Sequence, residues 1–248
     1  MNANSSNGER SVFFVSDSSM LKHKCEWDDE HIEVPQRLEN ILTNLKDNVL
    51  KECETIKAVA ATIDDIRLVH DEAYIESLEK TTQMNIQQLE SYCSGFEDVY
   101  ANNFTYDACL MSAGCAIEAM KSVINERHRF SFIFCFSKNT NRIFKAGRLN
   151  ECVYIFSSAF AAVRPPGHHA SKNNACGFCF FNNVAICALK ARQLGVERVL
   201  IVDWDVHAGQ GTQYSIKSDP NIKLISIHRF ENGHFWPNLP ENSIQHDC

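Results

Sequence analysis

Two short runs of the chain carry residue types that could do chemistry together. His168 and His169 follow Arg164-Pro-Pro-Gly167. Imidazoles titrate near neutral pH, so an adjacent pair could supply a general base and a general acid. Asp205 and His207 lie two residues apart, and in extended backbone such side chains point to the same side. One oxygen and one nitrogen could then converge on a zinc or iron(II) ion. Together the two runs indicate metal-assisted hydrolysis.

Asp203 lies two residues before Asp205 and is expected to point the same way. A carboxylate in that position can orient a neighbouring imidazole and raise its basicity. Each motif alone is also compatible with a polar surface loop. Their occurrence together, each directly after a predicted strand, favours a catalytic site.

The elements around these residues predict an α/β fold with a parallel sheet. Residues 198–202 form a continuous apolar run, which is typical of a buried parallel strand. Asn182 or Asn183 is expected to cap the helix that precedes it, and Gly195 to end that helix. In such folds ligands bind beyond the carboxyl ends of the strands. Strands are predicted at 11–16, 159–163, 198–202 and 223–228, and helices at 36–46, 63–80, 105–123 and 184–194.

Composition limits the function classes. The chain has 248 residues, 44% of them hydrophobic, which suffices for one domain or a large part of a bigger one. Its net charge of -7 gives no electrostatic footprint for nucleic acid, although it would tolerate a basic protein substrate. No apolar run is long enough to span a membrane. The polar residues 1–10 are predicted to be a disordered lead.

Eleven cysteines are present, and without a secretory signal they are expected to be reduced thiols. Cys176 and Cys179 form a C-x-x-C motif. A redox or zinc-knuckle function would need a second cysteine pair or a thioredoxin-like context. Packed thiols beside the histidine loop are therefore the favoured interpretation.

Longer runs resemble one known family. Arg164–Ala170, Ala175–Val184 and Ile201–His207 resemble the zinc-dependent histone deacetylases, in particular class II with its plant members. His31–Arg37 and Val69–Tyr74 resemble the early loop and the next helix of that family. The resemblance implies a three-layer α/β/α fold of the arginase/deacetylase type with a mainly parallel sheet.

The resemblance also implies roles for individual residues. His168 and His169 correspond to the proton-transfer pair, Asp203 to the carboxylate that polarises His168, and Asp205 and His207 to two of three zinc ligands. A structural potassium ion would be held by Asp203, Ser226 and the backbone of Ile227. The walls of a substrate tunnel would be formed by Gly177 and Phe178, with Trp236 opposite them. Trp236 stands at a position where the family usually has Phe or Tyr.

By resemblance the chain is expected to hydrolyse acetyl-lysine in histone tails or cytoplasmic proteins and to release acetate. Co-repressor proteins are expected partners, and the nucleus, the cytoplasm or both the expected location. A small acetylated amine is an alternative substrate. A two-manganese arginase site is disfavoured because it needs more carboxylates.

The chain also departs from the family pattern. Residues 11–237 are predicted to form a partial deacetylase domain, with 126–158 as an anomalous insertion and 238–248 as a divergent tail. The third zinc ligand and the transition-state tyrosine are expected downstream, in a C-terminal part that is missing here. Ala208 and Gln210 replace the usual His and Asn or Asp. The alternative to an enzyme is therefore an impaired, deacetylase-like protein that acts only by binding partners.

Overall fold

The computed structural model describes residues 12–124, 131–135 and 158–243. The strands are β1 (Val12–Val15), β2 (Cys53–Thr55), β3 (Ser131–Cys135), β4 (Ser158–Ala161), β5 (Val199–Asp203) and β6 (Ile222–Ser226). The α-helices are α1 (Gln36–Asn48), α2 (Ile63–Ile66), α3 (Glu72–Glu79), α4 (Ile86–Cys93), α5 (Thr105–Ile124), α6 (Asn183–Gln193) and α7 (Gln210–Ile216). Short 3-10 helices lie at Ser18–Lys22, Leu50–Glu52, Lys80–Gln83, Glu231–Gly233 and Pro240–Asn242.

All four pairings between these strands are parallel, which confirms the predicted α/β class. The described strands form two three-stranded sheets, in the orders β2-β1-β4 and β3-β5-β6. In the second sheet Asp203 at the end of β5 is in register with Ser226 at the end of β6. Asp203 and Ser226 therefore lie at the carboxyl ends of neighbouring strands, where ligands bind in such sheets.

Strand β3 lies inside the segment 126–158, for which sequence reasoning found no convincing strand. The run Ser131–Cys135 pairs along its whole length with β5, from Val199 to Asp203. Its flanks carry no turn signal, and a partner 68 positions further along the chain is not visible in a local pattern. Residues 125–130 and 136–157 lie outside the described residues, as do the lead 1–10 and residues 244–248 of the tail.

The single helix predicted at 63–80 is wrong, because two helices with a break between them occupy this stretch. Helix α2 ends at Ile66, and α3 begins after Asp71, whose backbone is extended. The N–H of Asp71 donates to the carbonyl of Lys172 at 3.0 Å. His70 is buried and its Nε2 accepts from the N–H of Asn182 at 2.9 Å. These contacts with the histidine-loop region override the local helical pattern.

The other predicted helices are confirmed within one or two residues. Helix α6 begins after Asn182, whose side chain accepts from the N–H of Ala185 at 3.0 Å. Gly195, just beyond the end of α6, has a φ of 91° and a left-handed backbone that suits glycine. Helices α5 and α6 pack against each other, and their apolar residues join one continuous core with β5 and β6. No described helix has both the length and the apolar character of a membrane span.

A buried ion pair joins the start of the histidine loop to the N-terminal part of the chain. Arg164 and Glu33 are 3% and 1% exposed, and their side chains meet in two hydrogen bonds of 2.6 and 3.1 Å. Arg164 also donates to the carbonyls of Met20 and His23, at 2.7 and 2.6 Å. Tyr100 donates its hydroxyl to Glu33 at 2.6 Å. Burial alone would raise the pKa of Glu33, but the bonds and charge of Arg164 lower it from 4.5 to about 2.

We predict that Glu33→Gln lowers the free energy of unfolding by about 3–5 kcal/mol at neutral pH, because it leaves the Arg164 charge buried and uncompensated. The ionised carboxylate stabilises the fold fully above pH 4.5, and this contribution is lost as the pH falls toward 2. The deficit of the variant, measured by urea unfolding, should therefore shrink toward acid pH. Glu54→Gln, at an exposed position of β2, should stay within about 0.5 kcal/mol. Equal effects of both substitutions would contradict the assignment.

Candidate active site

The loop that carries the two histidines is held by its backbone carbonyls. The carbonyl of Pro165 accepts from the side chains of Ser112 and Asn183, at 2.9 and 3.2 Å. The carbonyl of His168 accepts from the N–H of Thr212 at 3.1 Å. Polar groups at the starts of α6 and α7 and in the middle of α5 thus fix a loop that has no regular structure of its own. Such a scaffold holds the imidazoles in one orientation.

His168 is paired with Asp203 at the end of β5. The two side chains are 7% and 1% exposed, and Nδ1 of His168 lies 2.9 Å from Oδ2 of Asp203. Burial alone would lower the pKa of His168. The hydrogen bond and charge of Asp203, with the charge of Asp205, outweigh burial and raise this pKa above 6.5. His168 is therefore the imidazole of the pair that more readily carries a proton.

His169 has a neutral hydrogen-bond partner, and its pKa shifts in the opposite direction to that of His168. Its Nδ1 lies 2.7 Å from Oε1 of Gln210, so the longer amide side chain does reach the imidazole. Burial and the neighbouring His168 lower the pKa of His169 to about 2. The two rings are tilted by 45° to each other, with centroids 3.8 Å apart. Environments that push the pKa values of two adjacent groups apart are typical of an acid–base pair.

Asp205 and His207 converge as their spacing predicts. Oδ1 of Asp205 lies 2.9 Å from Nδ1 of His207 and also accepts the backbone N–H of His207 at 2.7 Å. Asp205 is buried, whereas the His207 side chain is 32% exposed. The ring of His207 stacks on Phe235 and meets the edge of Trp236. This pair lies beside the two loop histidines, with the ring centroids of His169 and His207 5.9 Å apart.

The donor set suits zinc in its chemistry. Two atoms 2.9 Å apart can both lie at the usual distances of about 2.0–2.2 Å from one ion. Catalytic zinc sites have three protein ligands. No group of three or more His, Cys, Asp or Glu residues that could hold a metal occurs in the part of the chain that the structure describes. The described residues thus provide two candidate ligands, Asp205 and His207.

The residues predicted for a potassium ion also lie together at the strand ends. The N–H of Ile227 donates to the carbonyl of Asp203 at 2.8 Å. The hydroxyl of Ser226 is 2.7 Å from Nδ1 of His228, whose Nε2 lies 2.9 Å from the carbonyl of Asn242. The potassium site itself stays a prediction.

Two of the three predicted tunnel-wall residues, Gly177 and Trp236, meet at His169, and the third, Phe178, lies against His31. Gly177 has a φ of 53°, and a Cβ there would lie 2.7 Å from Cδ2 of His169 and 2.8 Å from the Trp236 ring. Only glycine fits this gap between the imidazole and the indole. The Trp236 ring meets His169 edge to face at 4.5 Å, and the Phe178 ring meets His31 at 5.3 Å.

One group at the site, Glu97, was not identified from the sequence. Glu97 accepts the indole N–H of Trp236 at 2.6 Å, across 139 positions of sequence. Cys176 lies 3.8 Å from Nε2 of Gln210. The described cysteines are free, and Cys176 and Cys179 are buried. Burial raises the pKa of the Cys176 thiol to about 11. Both findings favour the packed-thiol interpretation, and no local pattern could have revealed the Glu97 contact.

Gly209 shows how closely the site is packed. A Cβ at this position would lie 2.5 Å from Oδ2 of Asp203 and 3.0 Å from Nδ1 of His168. The backbone between the candidate metal ligands and α7 therefore passes directly against the His168–Asp203 pair.

Parallel strands with a histidine pair and an Asp/His pair at their ends define a hydrolase-type site of the deacetylase fold. The sequence matches the histone deacetylase domain model over residues 31–246. The chain therefore belongs to the histone deacetylase family.

Individual relatives agree with this membership. The chain is 36% identical over 232 residues to polyamine deacetylase HDAC10 of Danio rerio, and 33% identical to that of Homo sapiens. Each alignment covers 92% of this chain and 30% of the relative. The crystal structure of the HDA15 HD domain superposes with a TM-score of 0.72 at 30% identity, covering 92% of this chain and 56% of that one. The chain thus spans about a third of the length of these curated relatives.

We predict that Asp203→Asn lowers the pKa of His168 below 6.5, because burial is then no longer opposed by the Asp203 charge. The shift can be followed by NMR titration of the imidazole ring. Asp71→Asn, which removes a half-exposed carboxylate paired with Lys172, is the matched control and should leave the value unchanged. An unaltered His168 pKa in Asp203→Asn would refute the role of this carboxylate.

Proposed function

We propose that this chain hydrolyses the N-acetyl group of an aliphatic amine, with the acetyl-lysine side chain of histone tails or other proteins as the expected substrate. The observation that carries the proposal is the pair of adjacent imidazoles with opposite pKa shifts, one bonded to Asp203 and the other to Gln210. Amide hydrolysis needs one group that accepts a proton from water and one that gives a proton to the leaving amine.

His169 is suited to accept the proton of water. The amide oxygen of Gln210 faces its Nδ1, so the tautomer with a proton on Nδ1 is favoured and Nε2 keeps its lone pair. His168, whose raised pKa favours the protonated form, is suited to donate to the leaving nitrogen. Water adds its oxygen to the acetyl carbon, the C–N bond breaks, and acetate and the free amine are the products.

The metal belongs to the proposal through its two candidate ligands, Asp205 and His207. A zinc ion, when bound, supplies Lewis-acid polarisation of the acetyl carbonyl and of water. A potassium ion near Asp203, Ser226 and Ile227 remains a proposed structural cofactor. The apolar faces of Phe178 and Trp236 are suited to the aliphatic stem of an uncharged acetamide.

A small acetylated polyamine is a second candidate substrate. The two curated relatives named above are polyamine deacetylases. An acetylpolyamine has the same acetamide group and aliphatic stem as acetyl-lysine. Partner binding without turnover is the candidate from another class. It is supported by the number of candidate metal ligands in the described residues, which is two rather than three.

The proposal predicts that His169→Gln lowers the rate of acetate release from an acetyl-lysine peptide by about 10²–10⁴-fold, because the proton acceptor is removed. His234→Gln, at an exposed histidine near Trp236, is the control and should keep the wild-type rate. Acetate release from both the peptide and an acetylpolyamine by the wild-type chain is measured in parallel. A His169→Gln variant as active as the wild type would refute the proposed mechanism.

A zinc measurement distinguishes between the two candidate functions, catalysis and partner binding without turnover. We expect about one zinc per chain in the wild type, and a large loss in Asp205→Ala and His207→Ala, because each variant removes one of two candidate ligands. Elemental analysis after dialysis gives the stoichiometry. A wild-type chain with neither zinc nor acetate release would favour the binding function.

A further inference from the structure

The candidate metal ligand His207 has only one hydrogen-bonded ring nitrogen in the part of the chain that the structure describes. Its Nδ1 lies 2.9 Å from Oδ1 of Asp205, the other candidate ligand, and its Nε2 has no partner there. Histidines that bind metals usually donate their second ring N–H to a carboxylate, a carbonyl or water, which fixes the orientation of the ring. The side chain of His207 is 32% exposed, so its imidazole needs another constraint.

Two aromatic rings supply that constraint. The Phe235 ring lies nearly parallel to the imidazole of His207, with 14° between the planes and 5.2 Å between the centroids. The Trp236 ring meets the same imidazole at 80° and 5.5 Å. Offset-parallel and edge-to-face arrangements at such distances are the favourable geometries of ring pairs. Rotation of the imidazole would break both contacts.

Arg229 in turn contacts Phe235. Its guanidinium carbon lies 4.7 Å from the centroid of the Phe235 ring, within the range of a cation–π contact. The side chain of Arg229 is anchored by Glu231, which accepts from its Nε at 2.8 Å, and its backbone N–H donates to the carbonyl of Val206 at 2.9 Å. Arg229 is therefore tied both to the residue before His207 and to the ring that stacks on His207.

We propose that Phe235 and Arg229 are positioning residues, which hold the imidazole of His207 in the orientation that a metal ion requires. The inference rests on the proposed function, because it takes Asp205 and His207 as metal ligands. The stacked ring takes the place of a hydrogen bond at Nε2, and the guanidinium favours the stacked position of that ring. A ligand that is already oriented loses less conformational freedom on binding, so the affinity for zinc depends on side chains that are not ligands themselves.

Substitutions at two positions separate stacking from mere bulk. Phe235→Leu removes the aromatic face and keeps an apolar side chain, whereas Phe235→Tyr keeps the face. Arg229→Gln removes the cation. Phe104→Leu is the matched control, because Phe104 is an exposed ring just before α5 with a cation of its own, Lys22 at 5.3 Å.

The first measurement is the NMR spectrum of the imidazole ring protons in the full chain, freed of metal with a chelator. Protons over an aromatic face resonate upfield, so we expect the His207 signals to move downfield in Phe235→Leu and part of the way in Arg229→Gln. They should stay in place in Phe235→Tyr and Phe104→Leu. The signals of His169, which contacts Trp236, should stay in place in every variant. Equal movement of both histidines would show a general disturbance of the site and overturn the inference.

The second measurement is the zinc Kd, determined by competition with a coloured chelator. We expect Phe235→Leu to raise this Kd about tenfold, as the loss of a group that orients a metal-binding histidine typically does. Arg229→Gln should raise it by a smaller factor. Phe235→Tyr and Phe104→Leu should keep the wild-type Kd.

Unchanged His207 signals or an unchanged zinc Kd in Phe235→Leu would overturn the inference, as would an equal loss in Phe235→Tyr. The proposed function is judged on other results, zinc binding and acetate release by the wild type. A wild type that binds no zinc would refute the metal part of the proposed function, and the ring signals of the metal-free chain would then decide the inference alone. Acetate release from a chain whose His207 signals and zinc Kd are insensitive to Phe235 would refute the inference and leave the proposed function standing.

Discussion

Arg164 begins the loop that carries both histidines, and several buried acceptors hold its guanidinium. It bonds to both carboxylate oxygens of Glu33 and to the carbonyls of Met20 and His23. Burying such a charge costs several kcal/mol unless nearly every donor finds an acceptor. Glu33, Met20 and His23 lie more than 130 positions earlier in the chain, and a fourth acceptor, the Tyr100 hydroxyl, lies 64 positions earlier. The geometry of the histidine loop thus depends on the N-terminal part of the fold as much as on β5.

The difference between the two histidines has a simple electrostatic origin. Their rings lie 3.8 Å apart, so two positive charges there would repel each other strongly in a buried site. Asp203 gives His168 a charged partner, whereas Gln210 gives His169 a neutral one. The charge of His168 lowers the pKa of His169 further. Gln210 therefore provides His169 with a hydrogen bond from an uncharged partner, and the pKa of His169 stays low while that of His168 is raised.

The sequence predicted the parts of the site that depend on local pattern. Apolar runs place Asp203 at the end of β5, and residue spacing brings Asp205 and His207 together. The structural features that depend on partners far away in the sequence were not predicted. Strand β3 is defined by pairing with β5, and the break between α2 and α3 by a bond from Asp71 to Lys172. Such contacts leave no periodic signal, because neither partner differs locally from an ordinary loop or helix residue.

The site consists of two parts, the histidine pair and the candidate metal ligands, and the described residues contain different shares of the two. The part with the two histidines is fully formed: both imidazoles are buried, each has a hydrogen-bonded partner, and their pKa values shift in opposite directions. The metal half offers two converging donors, where catalytic zinc needs three. Hydrogen bonding of His168 and His169 does not involve Asp205 or His207. The hydrogen-bonded geometry of the two imidazoles therefore does not depend on an ion, whereas the charge of Asp205 contributes to the pKa of His168 and so links the protonation of His168 to the candidate metal ligands.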